Sequence, residues 1–302
     1  MVQEQNRSTS WEAHLAVLLT NIFFGANFSA VQYIAQRGVP AFGLNVIRVG
    51  VSSILFWLLI FFIQQRKWIK REHIPRFLLC AITGVVINQL LFIKGLTLTL
   101  SIHASLLILI TPIFITFIAA WIGREALNIF KITGLILGIC GAIILVLQKE
   151  SSGQGSNIML GNILVILNAI SYAFYFVLVK PLMKEYHSFE VIRWLFTLGF
   201  CFMLPIGWSE FSSIPWKALS VKDYVILSSI VFFATFLAYL FNLYGISKLG
   251  ASITGAYIYT QPIFATIIAV FVMNEQLTIQ KLIAAALIVS GVLMVNKRSS
   301  VN

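Results

Sequence analysis

Charged residues are scarce in this sequence of 302 residues: Asp, Glu, Lys and Arg make up 10% of it, whereas 59% is apolar. An ordinary soluble domain has about 25% charged residues, because water must cover its surface. The composition therefore argues against a soluble enzyme, a nucleic-acid-binding protein and a disordered chain. It predicts a protein whose solvent is lipid.

Cysteine is also rare, and its pattern excludes two classes of site. Cys80, Cys140 and Cys201 each lie inside an apolar run, and the chain has no CxxC motif or Cys/His cluster. An odd number of separated cysteines does not make a disulfide framework or a metal site. We expect three small buried apolar side chains, and we predict no cofactor.

Acidic residues are missing from the middle of every long apolar run, although the chain has ten of them. A carboxylate embedded in the membrane is costly and marks proton or cation pathways. Its absence disfavours carboxylate-based proton/cation antiport and the transport of hard metal ions. We also find no paired Asp, Ser/Lys or His/Glu constellation at helical spacing, so an intramembrane enzyme is not predicted.

Ten apolar runs are long enough to cross a bilayer, which requires roughly 17–25 residues. The predicted spans are 13–35, 41–64, 75–96, 99–123, 129–148, 158–180, 188–208, 222–247, 250–273 and 278–296. Their connections are short, so consecutive helices are expected to be antiparallel neighbours. The fold class is thus an all-α membrane protein with ten transmembrane helices.

Orientation follows from the positive-inside rule. With the N-terminus inside, inner segments carry thirteen Lys and Arg residues and outer segments carry five. The first apolar run continues to about Ala35, too long for the core of a cleaved signal peptide. We therefore predict a multi-pass protein of the bacterial inner membrane, surrounded by lipid, with both termini in the cytoplasm.

The chain repeats itself at an offset of 150 residues. Segments 94–114 and 244–264 align without a gap, and Pro112 matches Pro262. The predicted repeats are 1–150 and 151–302, with five spans each. Because five is odd, the second copy must enter the membrane upside down. This inverted-topology repeat is typical of secondary transporters that work by alternating access.

Each half has a proline in its fourth span, then an acidic residue and a fifth span that contains glycine: Pro112, Glu125, Gly134, Gly138 and Gly141 in the first half, and Pro262, Glu275 and Gly291 in the second. Together with Arg48 in the second span, this pattern resembles the drug/metabolite transporter superfamily, specifically the EamA-like ten-helix transporters. The resemblance implies a cavity lined by spans one, three, four, six, eight and nine. It also implies a substrate among amino acids, metabolites, cations or drugs.

Uncharged polar side chains recur at helical spacing within several spans and point to such a cavity. The predicted substrate-binding residues are Asn27, Asn88, Gln89, Tyr172, Tyr175, Tyr239, Asn242, Tyr257 and Gln261. Unpaired amides and hydroxyls are costly in hydrocarbon, so these side chains must face protein or water. The alternative is that they only form hydrogen bonds between helices.

Three basic side chains and two prolines complete the candidate set. Arg48, Lys94 and His103 are candidates for charge recognition, although Arg48 and Lys94 could instead extend to the interface and His103 could be a hydrogen-bonded bystander. Pro112 and Pro262 fall near the centres of spans four and nine and are expected to kink them, as gating elements.

These observations predict a transporter that exports small organic metabolites, such as amino acids, across the inner membrane. The alternatives are a lipid flippase and a facilitative, channel-like permease. The expected partners are a small-molecule substrate and membrane lipid, without nucleic acid, in a monomer or a homodimer.

Overall fold

A computed structural model describes residues 2–59, 68–123, 129–148 and 156–296, and for a few of these residues it describes the backbone alone. The described residues form helices and no strand. The α-helices are α1 (Val2–Gln36), α2 (Ala41–Leu58), α3 (Ile74–Ala81), α4 (Asn88–Leu98), α5 (Ser101–Ile108), α6 (Thr111–Gly123), α7 (Ile129–Leu147), α8 (Ile158–Glu185), α9 (Ser188–Ser212), α10 (Val221–Val231), α11 (Ala238–Ala256), α12 (Gln261–Met273) and α13 (Ile279–Asn296). Short 3₁₀ turns cover Arg71–His73, Trp216–Ala218 and Tyr257–Thr260. The all-helical prediction is confirmed.

Two π-helical segments interrupt apolar helices. Ile82–Ile87 joins α3 to α4, and Phe232–Leu237 joins α10 to α11. The two segments differ by 150 in residue number, which is the offset of the sequence repeat. A π-helical turn widens the helix and frequently lies at a functional site.

By length and composition, eight helical stretches of the described chain can cross a membrane. Two shorter apolar helices, Tyr257–Met273 and Ile279–Val295, correspond to the ninth and tenth predicted spans. One predicted boundary is wrong: the connection at 248–249 lies inside α11, which runs on to Ala256. This stretch has no proline to end a helix, so the glycines beside it do not suffice to break the hydrogen-bond ladder.

The helices form two compact units, and each unit combines helices from both halves of the sequence. In unit 1, α1 packs against α11 and α12, and α2 packs along α9. In unit 2, α8 packs against α4 and α6, and α7 packs along α13. The predicted boundary between the repeats, near residue 150, lies outside the described residues, as does Glu125.

The pairing of α7 with α13 depends on glycine. A Cβ at Gly134 would lie 2.5 Å from the carbonyl oxygen of Gly291, and a Cβ at Gly291 would lie 2.5 Å from the carbonyl oxygen of Gly134. The two backbones therefore approach more closely than any side chain allows. This is the small-residue packing that drives helix association in lipid.

A carboxylate from another part of unit 1 caps the start of α2. Glu210 Oε2 accepts from the backbone N–H groups of Phe42 at 2.6 Å and Gly43 at 3.3 Å. These N–H groups belong to the first turn, which has no partners within the helix. The negative charge also complements the positive end of the helix dipole.

Unit 2 has an equivalent cap at the start of α5. Glu275, in the connection before α13, accepts from the N–H groups of Ser101 at 2.7 Å and Ile102 at 3.0 Å. Burial raises the pKa of the Glu275 carboxyl, although these hydrogen bonds and the charge of Lys281 act in the opposite direction. Lys281 itself is buried and donates to the carbonyl oxygen of Gln276 at 2.6 Å.

The cysteine prediction is wrong for two of three residues. Cys80 is buried, but Cys140 and Cys201 are exposed on the protein surface. An apolar run predicts burial only when water is outside. Where lipid surrounds the protein, an apolar side chain can face outward without cost.

Candidate substrate-binding residues

Arg48 lies within α2 and is 3% exposed. Its Nε donates to Thr235 Oγ1 at 3.0 Å. The Thr235 hydroxyl donates its own proton to the carbonyl oxygen of Ile230 at 2.9 Å. That carbonyl is five residues earlier, and it comes within reach because Thr235 lies in the π-helical segment Phe232–Leu237. The hydroxyl lone pairs therefore fix the orientation of the guanidinium.

An aromatic cluster adjoins this arginine through Tyr239, whose hydroxyl interacts electrostatically with Arg48. The ring centroids of Tyr239 and Phe196 are 5.1 Å apart with planes at 83°, and Phe24 meets Tyr239 at 6.3 Å and 86°. Phe56 contacts Phe196 at 5.1 Å. Edge-to-face pairs of this kind are the favoured arrangement of aromatic rings, so a packed aromatic wall stands beside a buried positive charge.

Several buried polar atoms in unit 1 have no hydrogen-bond partner within the described part of the chain. They include Arg48 Nη1, Ser52 Oγ, Asn27 Oδ1 and Thr254 Oγ1. Ser52 follows Arg48 by one helical turn and shares its face of α2. A buried polar atom left unpaired costs about 1–3 kcal/mol, so these atoms favour the approach of water or a polar solute.

The start of α12 is tied to α1 by polar contacts. Gln261 Nε2 donates to Asn21 Oδ1 at 2.9 Å, and Asn21 Nδ2 donates to the carbonyl oxygen of Val17 at 2.7 Å. The Tyr257 hydroxyl and His14 Nδ1 are 2.8 Å apart. Sequence reasoning left His14 and Asn21 out of the candidate set. Their seven-residue spacing, which places both on one side of α1, could have found them.

Unit 2 has its own aromatic pair beside its π-helical segment. The rings of Tyr172 and Tyr175 are 5.5 Å apart on α8. Tyr175 packs so closely on Gly84 that a Cβ there would lie 2.5 Å from the ring. Gly84 belongs to Ile82–Ile87, so the absence of a side chain lets a tyrosine contact the backbone of the widened turn.

Amides and hydroxyls of α8 reach the same region. Asn168 Nδ2 donates to the carbonyl oxygen of Asn88 at 2.8 Å, and the Ser171 hydroxyl donates to that of Thr83 at 2.7 Å. Asn88 and Gln89 are both buried at the start of α4. The structure therefore places Asn168 against Asn88 and Tyr175 against Gly84 in unit 2. Tyr172 lies beside Tyr175, and Gln89 is next to Asn88 along α4.

His103 takes part in a different network of unit 2. Asn162 is fully buried, accepts from the Thr99 hydroxyl, and donates to the carbonyl oxygen of Leu145 at 3.0 Å. Its Nδ2 lies 3.1 Å from His103 Nδ1. The Leu145 carbonyl can only accept, so the Asn162 amide must be oriented with its nitrogen toward that carbonyl. The same nitrogen faces His103 Nδ1, which therefore accepts a hydrogen bond as well.

Lys94 and Asn242, like the candidate tyrosines, are only partly buried. Lys94 lies on α4 of unit 2, and Asn242 lies on α11 of unit 1. The backbone carbonyl of Lys94 accepts from the Thr97 hydroxyl at 2.8 Å. Lys94 therefore differs from Arg48, whose charge is enclosed by protein.

The two prolines lie where helices restart. α5 ends at Ile108, and Pro112 is the second residue of α6. The Thr111 hydroxyl donates to the carbonyl oxygen of Ile108 at 2.6 Å, which satisfies the acceptor that Pro112 leaves unpaired. Pro262 is likewise the second residue of α12, after the 3₁₀ turn Tyr257–Thr260. Instead of kinking a continuous helix, each proline lies in the first turn of a new helix. Proline is favoured there because the first-turn N–H groups have no partner within the helix.

The EamA-like transporter family model matches this chain twice, over residues 11–147 and 159–297. The chain belongs to the EamA-like transporter family. The family membership makes it a membrane transporter of small molecules.

Relatives of this EamA-like protein span nearly its whole length. The uncharacterized transporter YetK of Bacillus subtilis (strain 168) is 22% identical over 282 residues, covering 93% of this chain and 85% of YetK. A probable terminal-alkyne amino-acid exporter of Streptantibioticus cattleyicolor is 25% identical over 288 residues, covering 94% of this chain and 93% of that protein. A solved crystal structure matches with a TM-score of 0.61 at 16% identity, covering 96% of both chains, which supports the fold alone.

Proposed function

We propose that this EamA-like transporter is a secondary transporter that exports amino acids or similar small organic solutes across the bacterial inner membrane by alternating access. Ten spans in two inverted five-helix repeats, with both termini in the cytoplasm, form part of the proposal. The observation that carries it is an exchange of packing partners between the two halves of the sequence.

The exchange is visible within each compact unit. The first span of the first half, α1, packs on α11 and α12, which belong to the third and fourth spans of the second half. The first span of the second half, α8, packs on α4 and α6, which belong to the third and fourth spans of the first half. Second spans pair as α2 with α9, and fifth spans pair as α7 with α13. Related sequences therefore have reciprocal environments.

Reciprocal packing supports alternating access for an energetic reason. If the two halves exchange conformations, interactions that break in one half form again at equivalent positions of the other. The two resulting states then have similar free energies, and a small solute can shift the balance between them. The π-helical segments Ile82–Ile87 and Phe232–Leu237, at equivalent positions of the halves, support the same interpretation.

The substrate class follows from the polar groups beside these segments. The candidate residues are mostly amides and tyrosines, together with the buried side chain of Arg48. Such groups suit a small solute that combines an apolar part with hydrogen-bonding ends. The relative that is named a probable terminal-alkyne amino-acid exporter supports an amino acid.

Counterflow in proteoliposomes tests the proposal. Vesicles containing the purified full-length protein are loaded with an excess of one unlabelled L-amino acid and then given a trace of the labelled form. An alternating-access transporter accumulates label transiently, because exchange is faster than net efflux. Linear, unsaturable flux without accumulation would favour the channel-like permease, and label exchange only with vesicles containing short-chain fluorescent phospholipid would favour the flippase.

Two variants test the candidate residues in the same assay. Gln261→Ala and Asn242→Ala are expected to raise the half-saturating concentration, since they remove amide groups of the proposed solute path. Ser209→Ala is the control, because Ser209 is exposed on α9 of the same unit. Unchanged exchange in both amide variants would exclude these residues from the site.

A further inference from the structure

We propose that the buried guanidinium of Arg48 binds the carboxylate of the transported solute, with Ser52 and Tyr239 as additional hydrogen-bonding groups. The inference rests on the proposed function and assigns its substrate class: monoanionic carboxylates, including the carboxylate of a zwitterionic amino acid. It depends on the charge balance of unit 1 and on Arg48 Nη1, which has no hydrogen-bond partner among the described residues.

The charge of Arg48 has no acidic partner among the described residues of its unit. The acidic side chains described there are Glu12, Glu190, Glu210 and Asp223. Asp223 pairs with Arg37 at 3.1 Å, Glu210 caps α2, Glu190 accepts from the backbone N–H of His187 just before its own helix, and Glu12 is exposed. A buried charge without a partner is strongly unfavourable, so a ligand that supplies the opposite charge is favoured.

The geometry leaves the right part of the guanidinium available. Thr235 holds Nε and thereby fixes the plane of the group. Nη1 is buried and has no acceptor among the described residues, and the same is true of the Ser52 hydroxyl on the next turn. A planar, preoriented guanidinium with an unpaired Nη1 can donate to one oxygen of a carboxylate, and its fork geometry matches the two oxygens of that group.

Arg193 provides an internal contrast in the same unit. It is also buried, and it lies in α9, the second span of the second half. Its guanidinium lies 4.7 Å from the centre of the Trp57 ring and 5.7 Å from that of Trp194, so aromatic faces stabilise its charge. Arg48 does not stack on an aromatic face in this way within the described chain, so its charge lacks this source of stabilisation.

A single guanidinium favours a carboxylate over a phosphate ester. A phosphate dianion would need a second buried cation beside Arg48. The other arginines of this unit whose side chains are described are Arg37, which pairs with Asp223, and Arg193, which stacks on tryptophan. The aromatic wall of Phe24, Phe196 and Tyr239 beside Arg48 further suits an organic acid with an apolar body.

Matched pairs of solutes test this assignment on the purified full-length protein in nanodiscs. The probes are L-phenylalanine and L-leucine, each compared with its carboxamide, which keeps the ammonium group and side chain but lacks the carboxylate. Affinity is measured by thermal shift titration and by inhibition of counterflow. Hydrogen bonds to a charged group predict that at least one acid binds about 10- to 100-fold more tightly than its amide.

The variants Arg48→Gln, Arg48→Lys and Arg193→Gln separate recognition from folding. Arg48→Gln should abolish the preference for acid over amide. Arg48→Lys should retain a reduced preference, because lysine keeps the charge but lacks the planar guanidinium. Arg193→Gln should retain the full preference. The comparison of acid with amide on the unmodified protein requires no variant, so misfolding of Arg48→Gln would not remove the test.

The outcomes distinguish this inference from the proposed function. Equal binding of acids and amides, or an intact preference in Arg48→Gln, would overturn the role of Arg48 and leave amino-acid export standing. Absence of saturable exchange for every acid and amide would overturn both.

Discussion

Asn162 allows a quantitative test of what holds unit 2 together. Its side chain connects α8 to the Thr99 hydroxyl, His103 Nδ1 and the carbonyl oxygen of Leu145. Replacing it with leucine keeps a similar volume and removes all three hydrogen bonds. Interhelical hydrogen bonds in membranes are worth about 0.6 kcal/mol on average and up to about 1.7, so the expected loss of unfolding free energy is about 2–5 kcal/mol.

Asn168 is the matched control on the same helix. Its side chain donates to the carbonyl oxygen of Asn88, so Asn168→Leu should cost about 0.6–1.7 kcal/mol. Both variants are measured by reversible unfolding of the purified protein in mixed detergent micelles of increasing sodium dodecyl sulfate fraction. Equal losses for Asn162→Leu and Asn168→Leu, or no loss for Asn162→Leu, would refute the argument that Asn162 is a three-way connector.

Two further predictions concern a cap and a helix contact. Burial raises the pKa of Glu275, so the folded state binds the proton of this carboxyl more tightly than the unfolded state does. The free energy of unfolding should therefore fall as pH rises from the ordinary glutamate pKa through the raised value. Glu275→Gln should remove this pH dependence from melting curves recorded across the range. Gly134→Ala should lower the melting temperature at a cost of about 1–3 kcal/mol, because its Cβ meets the Gly291 backbone, whereas exposed Cys140→Ala should not.

Much of the fold could be predicted from the sequence because lipid imposes a simple rule on helix length and composition. All eight helical stretches of the described chain that can cross a membrane overlap predicted spans. The failure at 248–249 has a physical cause: glycine weakens a helix in water, but in an apolar stretch the backbone has no better partner than the helix itself. The exposure of Cys140 and Cys201 has a related cause, because apolar side chains can face lipid.

The candidate site could be predicted only in part. Polar periodicity singles out Tyr239 and Gln261, and Arg48 stands out because a charged residue is rare inside an apolar run. It could not find the π-helical segments, because ITGVVI and FFATFL share no signal that distinguishes them from ordinary helix. Without the segments, neither the placement of Thr235 nor the partner of Arg48 can be predicted. The assignment of substrate-binding roles to the candidate residues stays a prediction.

Each widened turn contains a surplus residue relative to an ordinary helix, and this has a consequence for engineering. Deleting one position from Phe232–Leu237 should convert the stretch to regular geometry and rotate everything that follows by about 100°. Tyr239 would then no longer lie on the side of the helix that faces Arg48, and α11 would present a different face to α1. The number of residues in Phe232–Leu237 therefore determines which way the side chains of α11 point. The number of residues in Ile82–Ile87 determines the same for α4.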